Sequence, residues 1–381
     1  MATTAPTKMD SPREHFSVSG LIAKLKARRK RKEEAPKDTR QPLRSSPLPL
    51  VLPQHQSTLV NLGWTTVTFP QPAPFPNGLS SPTSPHTSDH ATPTPDTHPL
   101  QQAYEDLFKA SAAFFDLPDS EKQRWKTKLG SEEGWSKIPG EKEFITLRTL
   151  EYTPDVLKEP AAKYWKLIGA HLTSSLGRIE GSLGMGTEAL SRFVGPCGTL
   201  QDTDAGKTAT MLRLFRYEGW EEKVVAEPHA DLGLLSFVVG DVPGLEVWNG
   251  QQFIPIEKTY TQPAGTLLAG RQLQRFSNFR YPAGGHRVVS YGRPSEVDGQ
   301  EKKYRFSIVF VLRAHEPVIV NSADLETEVT GKWEHPVTDM SAGVLYEQIR
   351  NAHFNINTGM KEREEQRRKL EGKKGNEKAS G

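Results

Sequence analysis

Three residues of this 381-residue chain combine types and spacing suited to holding a metal ion: His229, Asp231 and His286. The first two stand in Glu227-Pro-His-Ala-Asp-Leu-Gly. In an extended strand successive side chains point to opposite faces, so His229 and Asp231 project together while Ala230 points away. His286 comes 286 − 231 = 55 residues later, in Gly285-His-Arg-Val-Val, at the start of another apolar, β-branched run. Two imidazoles and one carboxylate on one face of an octahedral ion leave its other positions open to reactants, which suits ferrous iron.

A second group is suited to an acid. Tyr304-Arg-Phe-Ser-Ile-Val-Phe alternates, placing Arg305 and Ser307 on one face and Phe306 on the other. A guanidinium fork meets a carboxylate with two parallel hydrogen bonds, and a hydroxyl two residues on adds another.

In order and spacing these residues resemble the Fe(II)- and 2-oxoglutarate-dependent dioxygenases of the plant and fungal isopenicillin N synthase-like family, within the clavaminate synthase-like superfamily. The family pattern His-x-Asp, distal His, Arg-x-Ser reads here His229-Ala-Asp231, His286 and Arg305-Phe-Ser307. Gly244-Leu-Glu-Val-Trp, Gly265-Thr-Leu-Leu-Ala-Gly and Leu273-Gln-Arg-Phe-Ser-Asn278 are similar to strands the family places between them. Leu212-Arg-Leu-Phe-Arg-Tyr217 resembles the strand whose last tyrosine touches the co-substrate carboxylate, so the match covers most of residues 210 to 313.

The resemblance implies a mainly β fold with flanking helices: a double-stranded β-helix (jelly roll) core behind a helical N-terminal region. It implies iron on His229, Asp231 and His286, with 2-oxoglutarate held by Arg305, Ser307 and Tyr217. Dioxygen is the third reactant, and a small organic substrate is hydroxylated or desaturated with release of succinate and CO2. Isopenicillin N synthase spends the same Arg-x-Ser on a substrate carboxylate and needs no 2-oxoglutarate, so that alternative stays open beside a non-catalytic jelly-roll scaffold. Three features depart from the family. His286 and Arg305 lie 305 − 286 = 19 residues apart, with Gly292 to Gly299 reading as a loop insertion. Arg271 replaces a frequent aspartate, and Phe215 a frequent asparagine.

Composition bounds the rest. A net charge of +3 is small for this length, which argues against wholesale polyanion binding. The single cysteine, Cys197, excludes an intrachain disulfide and fits a reducing compartment; it reads as a small turn residue in Gly-Pro-Cys-Gly. No run approaches a membrane span, and no secretory h-region opens the chain. The expectation is a cytoplasmic monomer.

Residues 1–56 read as a disordered basic arm in which Lys24 to Lys32 holds seven basic residues in nine. That run is either a solvated arm or a nuclear address, and it is where a weak nucleic-acid contact would form; the core shows no basic stripe interleaved with aromatics. Residues 57–205 read as the helical N-terminal region. It opens with a strand in Leu59–Phe69 and is interrupted by a Pro-rich insertion at 70–99, whose His86, His90 and His98 are not expected to bind metal. A helix from Gln101, a second capped by Asp119, and a third from Pro160 to about Leu183 follow. The jelly-roll core spans 206–320, with a type II turn at Pro243-Gly244 and a hairpin at Asn249-Gly250. A C-terminal helical extension at 321–358 contains a helix over Ala342–Asn351, and 359–381 is a charged tail.

Overall fold

The computed structural model describes residues 38–71, 97–219, 221–292 and 304–352, together with Glu365 and Arg368. Contacts divide the chain between Arg40 and Gln41. Of the first unit only residues 38–40 are described, with Arg40 paired to Asp38 at 2.8 Å. Every element below belongs to the second. The run at 24–32, His86, His90 and the segment 293–299 lie outside the described residues.

Seven strands form the larger sheet, in the order β1 (Trp64–Thr68), β9 (Ala264–Ala269), β6 (Leu235–Gly240), β11 (Arg305–Leu312), β4 (Met211–Tyr217), β3 (Lys142–Leu147) and β2 (Gly134–Ile138). Four form the smaller, in the order β5 (Lys223–His229), β10 (His286–Ser290), β7 (Leu245–Trp248) and β8 (Phe253–Ile254). All these pairings are antiparallel, and from β4 onward the chain passes back and forth between the sheets, with β7 and β8 a hairpin within the smaller one, which makes the expected jelly roll. The hairpin at Asn249-Gly250 forms as its sequence indicates, with Trp248 opposite Phe253 and the Asn249 side chain accepting from the Gln251 and Gln252 amides.

Strand periodicity sorts the larger sheet into two faces. On β11, Phe306, Ile308, Phe310 and Leu312 lie on the helix side, while Arg305, Ser307, Val309 and Val311 line an interior cavity. The helix side is covered by α2 (Pro99–Phe115) and α4 (Asp155–Ser182). Trp165 of α4 meets Phe310 edge-on at 5.0 Å, and Phe115 of α2 lies 6.3 Å from Phe306. These aromatics, of which Trp165, Phe310 and Phe115 are fully buried, supply a rigid backing that fixes where the cavity-facing side chains stand. Cys197 is buried in a short 3-10 turn beneath α4, where its carbonyl accepts from the Trp165 indole, and burial raises its thiol pKa.

Several expectations are corrected. Ordered chain precedes residue 57: Leu48 and Val51 are in the core, and the Gln41 amide donates to Glu328. Only the second half of Leu59–Phe69 is a strand; Thr58–Leu62 forms the short helix α1, stopped by Gly63 at φ +77°, where a side chain would strike the Pro282 carbonyl. The helix α3 (Asp119–Lys122) begins at Asp119 itself, with Pro118 in the capping position and no side-chain cap. Helix α4 starts five residues before Pro160, with Leu157 already fully buried. Leu273–Asn278 is not a strand. It overlaps α5 (Arg271–Phe276), whose Leu273 and Phe276 are buried at helical spacing. Pro243-Gly244 is not a type II turn, since Gly244 does not have positive φ. The C-terminal helix, α6 (Ala342–Asn351), lies where its pattern puts it, with the Ser341 hydroxyl accepting from the Val344 amide.

Candidate metal and carboxylate site

His229 ends β5 and His286 begins β10, and the two face each other directly across the smaller sheet. Their rings lie 4.1 Å apart between centroids. Asp231 follows on the turn leaving β5, one carboxylate oxygen 3.9 Å from His229 Nε2. Candidate ligand atoms of all three residues lie within 4.8 Å of one another. The sequence separation of His229 and His286 is thus closed by one rung of an antiparallel ladder.

Each imidazole is oriented by a backbone carbonyl two residues before it. His229 Nδ1 lies 2.7 Å from the Glu227 carbonyl, and His286 Nδ1 lies 3.0 Å from the Gly284 carbonyl. A carbonyl only accepts, so both Nδ1 atoms carry the proton and both Nε2 atoms present lone pairs. Burial, followed by the neighbouring His286, pushes the His229 pKa down to about 3, which keeps that ring neutral. Burial works against the charge on Asp231, but His286 and His229 outweigh it and hold the carboxyl below its ordinary value. Asp231 Oδ2 is buried with no hydrogen-bond partner. Two imidazoles that present Nε2 and a carboxylate oxygen lacking a partner are what a divalent metal requires, so the donor set fits ferrous iron.

Asp231 is held from behind by α5. The Arg271 amide donates to the Asp231 carbonyl at 2.8 Å, and the Gln272 amide to the carbonyls of Leu232 and Gly233. Arg271 therefore supports the turn through its backbone, whatever residue type occupies the position.

The acid-binding residues gather at one end of the larger sheet. Arg305 of β11 stands opposite Tyr217 of β4, which stands opposite Lys142 of β3. The Ser307 and Tyr217 hydroxyls are 3.4 Å apart, and the Arg305 guanidinium lies 5.0 Å from the Tyr217 ring centre. Arg305 is 4 % exposed. Its Nε donates to the Val242 carbonyl (2.8 Å) and its Nη2 to Glu257 (3.1 Å), while Nη1 has no partner. Glu257 also accepts from the amides of Gly244 (2.7 Å) and Leu245 (2.8 Å). Space here forces two glycines: a Cβ on Gly244 would lie 2.5 Å from Arg305 Nε, and one on Gly240 2.6 Å from a Glu257 oxygen. Glu257 could not be singled out from sequence, since an acid on a short 3-10 turn reads as solvated. Gly240 and Gly244, around a buried arginine, are the only trace it left.

His229, Asp231 and His286, with Tyr217, Arg305 and Ser307, line one cavity of about 990 Å³ between the sheets. Phe144 and Phe215, 5.5 Å apart, form an aromatic band beyond the clamp, and Phe215 stacks on Tyr217. Past that band come Arg213, Arg313 and Glu132, none anticipated from sequence. His98 caps α2 through Nδ1 and His171 packs on Phe237, so neither joins the metal group.

No protein-family model matches the chain. A 2-oxoglutarate-dependent dioxygenase, frbH of Dothideomycetidae sp. (strain 11243), is 26 % identical over 136 residues, 35 % of this chain. The match spans only 40 % of that relative's length. Among solved structures, Neurospora crassa T7H in complex with alpha-KG and 5-formyluracil superposes with a TM-score of 0.53 at 21 % identity, covering 76 % of this chain and 86 % of that one. The dioxygenase for auxin oxidation (DAO) of rice gives 0.50 at 18 %, covering 77 % and 86 %. At these identities the structural likeness is one of fold. The chain shares a jelly-roll fold with T7H and DAO, and over 136 residues it is similar in sequence to the dioxygenase frbH.

Proposed function

We propose that the protein is an Fe(II)- and 2-oxoglutarate-dependent oxygenase that oxidises a small organic molecule. One observation carries the reading: His229 and His286 face each other with both Nε2 atoms free, beside a buried Asp231 oxygen that lacks a partner. His229, Asp231 and His286 are the iron ligands in this reading. When bound, the iron supplies dioxygen activation coupled to the decarboxylation of 2-oxoglutarate to succinate and CO2.

The chain's own residues bind and orient. Arg305 Nη1 and the Ser307 and Tyr217 hydroxyls hold the far carboxylate of 2-oxoglutarate, with Glu257 fixing the arginine so that little freedom is lost on binding. The aromatic band of Phe144 and Phe215 excludes water and places a carbon of the substrate near the metal. A cavity of about 990 Å³ has the size of a small-molecule site, and the T7H structures of similar fold hold 5-formyluracil or thymine. A reducing compartment, the cytoplasm or the nucleus if residues 24–32 act as an address, suits both ferrous iron and the free Cys197.

The test is anaerobic titration of the purified chain with Fe(II) and then 2-oxoglutarate, following the weak visible charge-transfer absorption of the chelate. Its appearance, with succinate formed on admitting oxygen, is the expected result. Iron binding without that absorption would assign Arg305 to a substrate acid instead, and failure to bind iron would sink the oxygenase reading.

A further inference from the structure

Arg213 is held in an unusual way for an enclosed arginine. Its Nε donates to the Thr146 hydroxyl at 2.7 Å, and its guanidinium lies over the Phe144 ring at 5.3 Å. Both contacts fix the plane of the group, yet neither uses the terminal fork. The two Nη atoms make no hydrogen bond to a described residue and are not sealed from solvent, so they open onto the cavity. The side chain is positioned without being satisfied.

The charges around it do not balance. Beyond the metal group and the clamp, the guanidiniums of Arg213, Arg271, Arg313 and Arg350 line the cavity with one carboxylate, Glu132, and Arg350 is paired with Glu347 at 2.6 Å. Arg313 takes both oxygens of Glu132, at 2.6 and 3.1 Å. Among the described residues, Arg213 and Arg271 have no carboxylate within ion-pair distance, and Arg271 Nε is buried without a partner. Glu132 and Asp231 act on Arg213 only from a distance; an enclosed cation without a direct ion pair is costly, and a ligand that brings an anion to its fork relieves that cost.

The missing anion is not the co-substrate. Arg213 lies on the same cavity face of β4 as Tyr217 but four residues away, roughly 13 Å along the strand. The clamp and the Arg213 fork are therefore separate anchors with the aromatic band between them. Asp231 is within electrostatic reach of both Arg213 and Arg313, so this second anchor belongs to the metal's own chamber.

We propose that the substrate is an organic acid whose carboxylate is held by the terminal fork of Arg213, with its apolar body lying along Phe144 and Phe215. The proposal rests on the oxygenase reading for what becomes of the acid, but not for its being bound. Arg271 and Arg313 add positive potential; Arg213 alone offers a free bidentate fork.

The test uses the full chain loaded anaerobically with Fe(II) and 2-oxoglutarate, and two probe pairs: phenylacetate and indole-3-acetate, each against its amide, which keeps the shape and loses the charge. Ligand-observed NMR reports affinity, and broadening by the paramagnetic iron reports proximity. Each acid is expected to bind about tenfold or more tightly than its amide, with that ratio collapsing in Arg213→Met and partly restored in Arg213→Lys. Equal binding of acid and amide, retention of neither acid, or a ratio intact in Arg213→Met would overturn the proposal. The ratio in the unaltered protein needs no variant, so a misfolded Arg213→Met does not shelter it. An acid preference that depends on Arg213 in a protein forming no iron–2-oxoglutarate absorption would remove the oxygenase reading alone. The absorption without an acid preference would remove only this inference.

Discussion

The two functional rungs of the jelly roll are built by opposite means. On the smaller sheet, His229 and His286 face each other, and each ring is oriented by a carbonyl two residues earlier in the chain. On the larger sheet, Arg305 and Tyr217 face each other, but Arg305 is fixed by Glu257, 48 residues away, which also gathers the amides of Gly244 and Leu245. The metal rung is self-supporting, whereas the acid rung depends on a remote buried charge. Local support makes the first robust to change elsewhere, and the second fails whenever its distant partner is lost.

The most damaging way to break this contrast acts on the metal rung itself. Asp231→Ala removes the oxygen that completes the ligand set, and iron affinity should fall by more than the roughly 10–100-fold typical of losing a merely supporting residue. Metal titration checks it, and iron retained at wild-type affinity would contradict the ligand assignment. Next comes Glu257→Ala, which leaves the Arg305 cation buried without its partner. A loss of about 3–5 kcal/mol of stability is expected, with weakened 2-oxoglutarate binding and unchanged iron affinity. If denaturation and the two titrations show iron and 2-oxoglutarate weakened alike, the rungs are not independent.

Acid acts on the wall behind both rungs. Burial pushes the pKa of His171, on α4 against Phe237, from 6.5 down to about 4. A depressed histidine favours the fold fully above its unfolded pKa of 6.5, and that contribution drains away as pH falls toward 4, because the unfolded chain takes up the proton first. Thermal melts of metal-free protein from pH 7 to 5 should fall further than those of His171→Leu; identical slopes would refute it. The smallest effect is expected from Ser307→Ala. The long 3.4 Å contact to Tyr217 contributes little, and about 1 kcal/mol, or fivefold in 2-oxoglutarate KM, is the expected change. A loss as large as that of Arg305→Ala would mean that Ser307 and not the arginine governs the rung.

What could be read from the sequence follows the range of the forces involved. The common facing of His229 with Asp231, and of Arg305 with Ser307, follows from a two-residue period, so a short stretch displays it. His286 joined them only through the order of motifs, since nothing local says which distant strand it will face. Glu257, Glu132 and Arg213 stayed hidden because an ionisable residue outside a motif reads as solvated, and only tertiary packing reveals its burial. Glu132 and Arg313 meet across 181 residues. Leu273–Asn278 shows the other failure: six residues with two apolar positions fit a strand or a helical turn equally well, and packing of Leu273 and Phe276 against the core decided for the helix.

The separate pinning of β10 and β11 has a further consequence. His286 is registered against β5 and β7 on one sheet, and Arg305 against β4 on the other, so neither takes its position from the chain joining them. Past β10 and Tyr291, which are themselves held by the smaller sheet, the chain leading to Arg305 thus sets neither position by its length. Evolution could lengthen it, and a protein engineer could graft a reporter or an affinity handle there, without moving a single ligand atom.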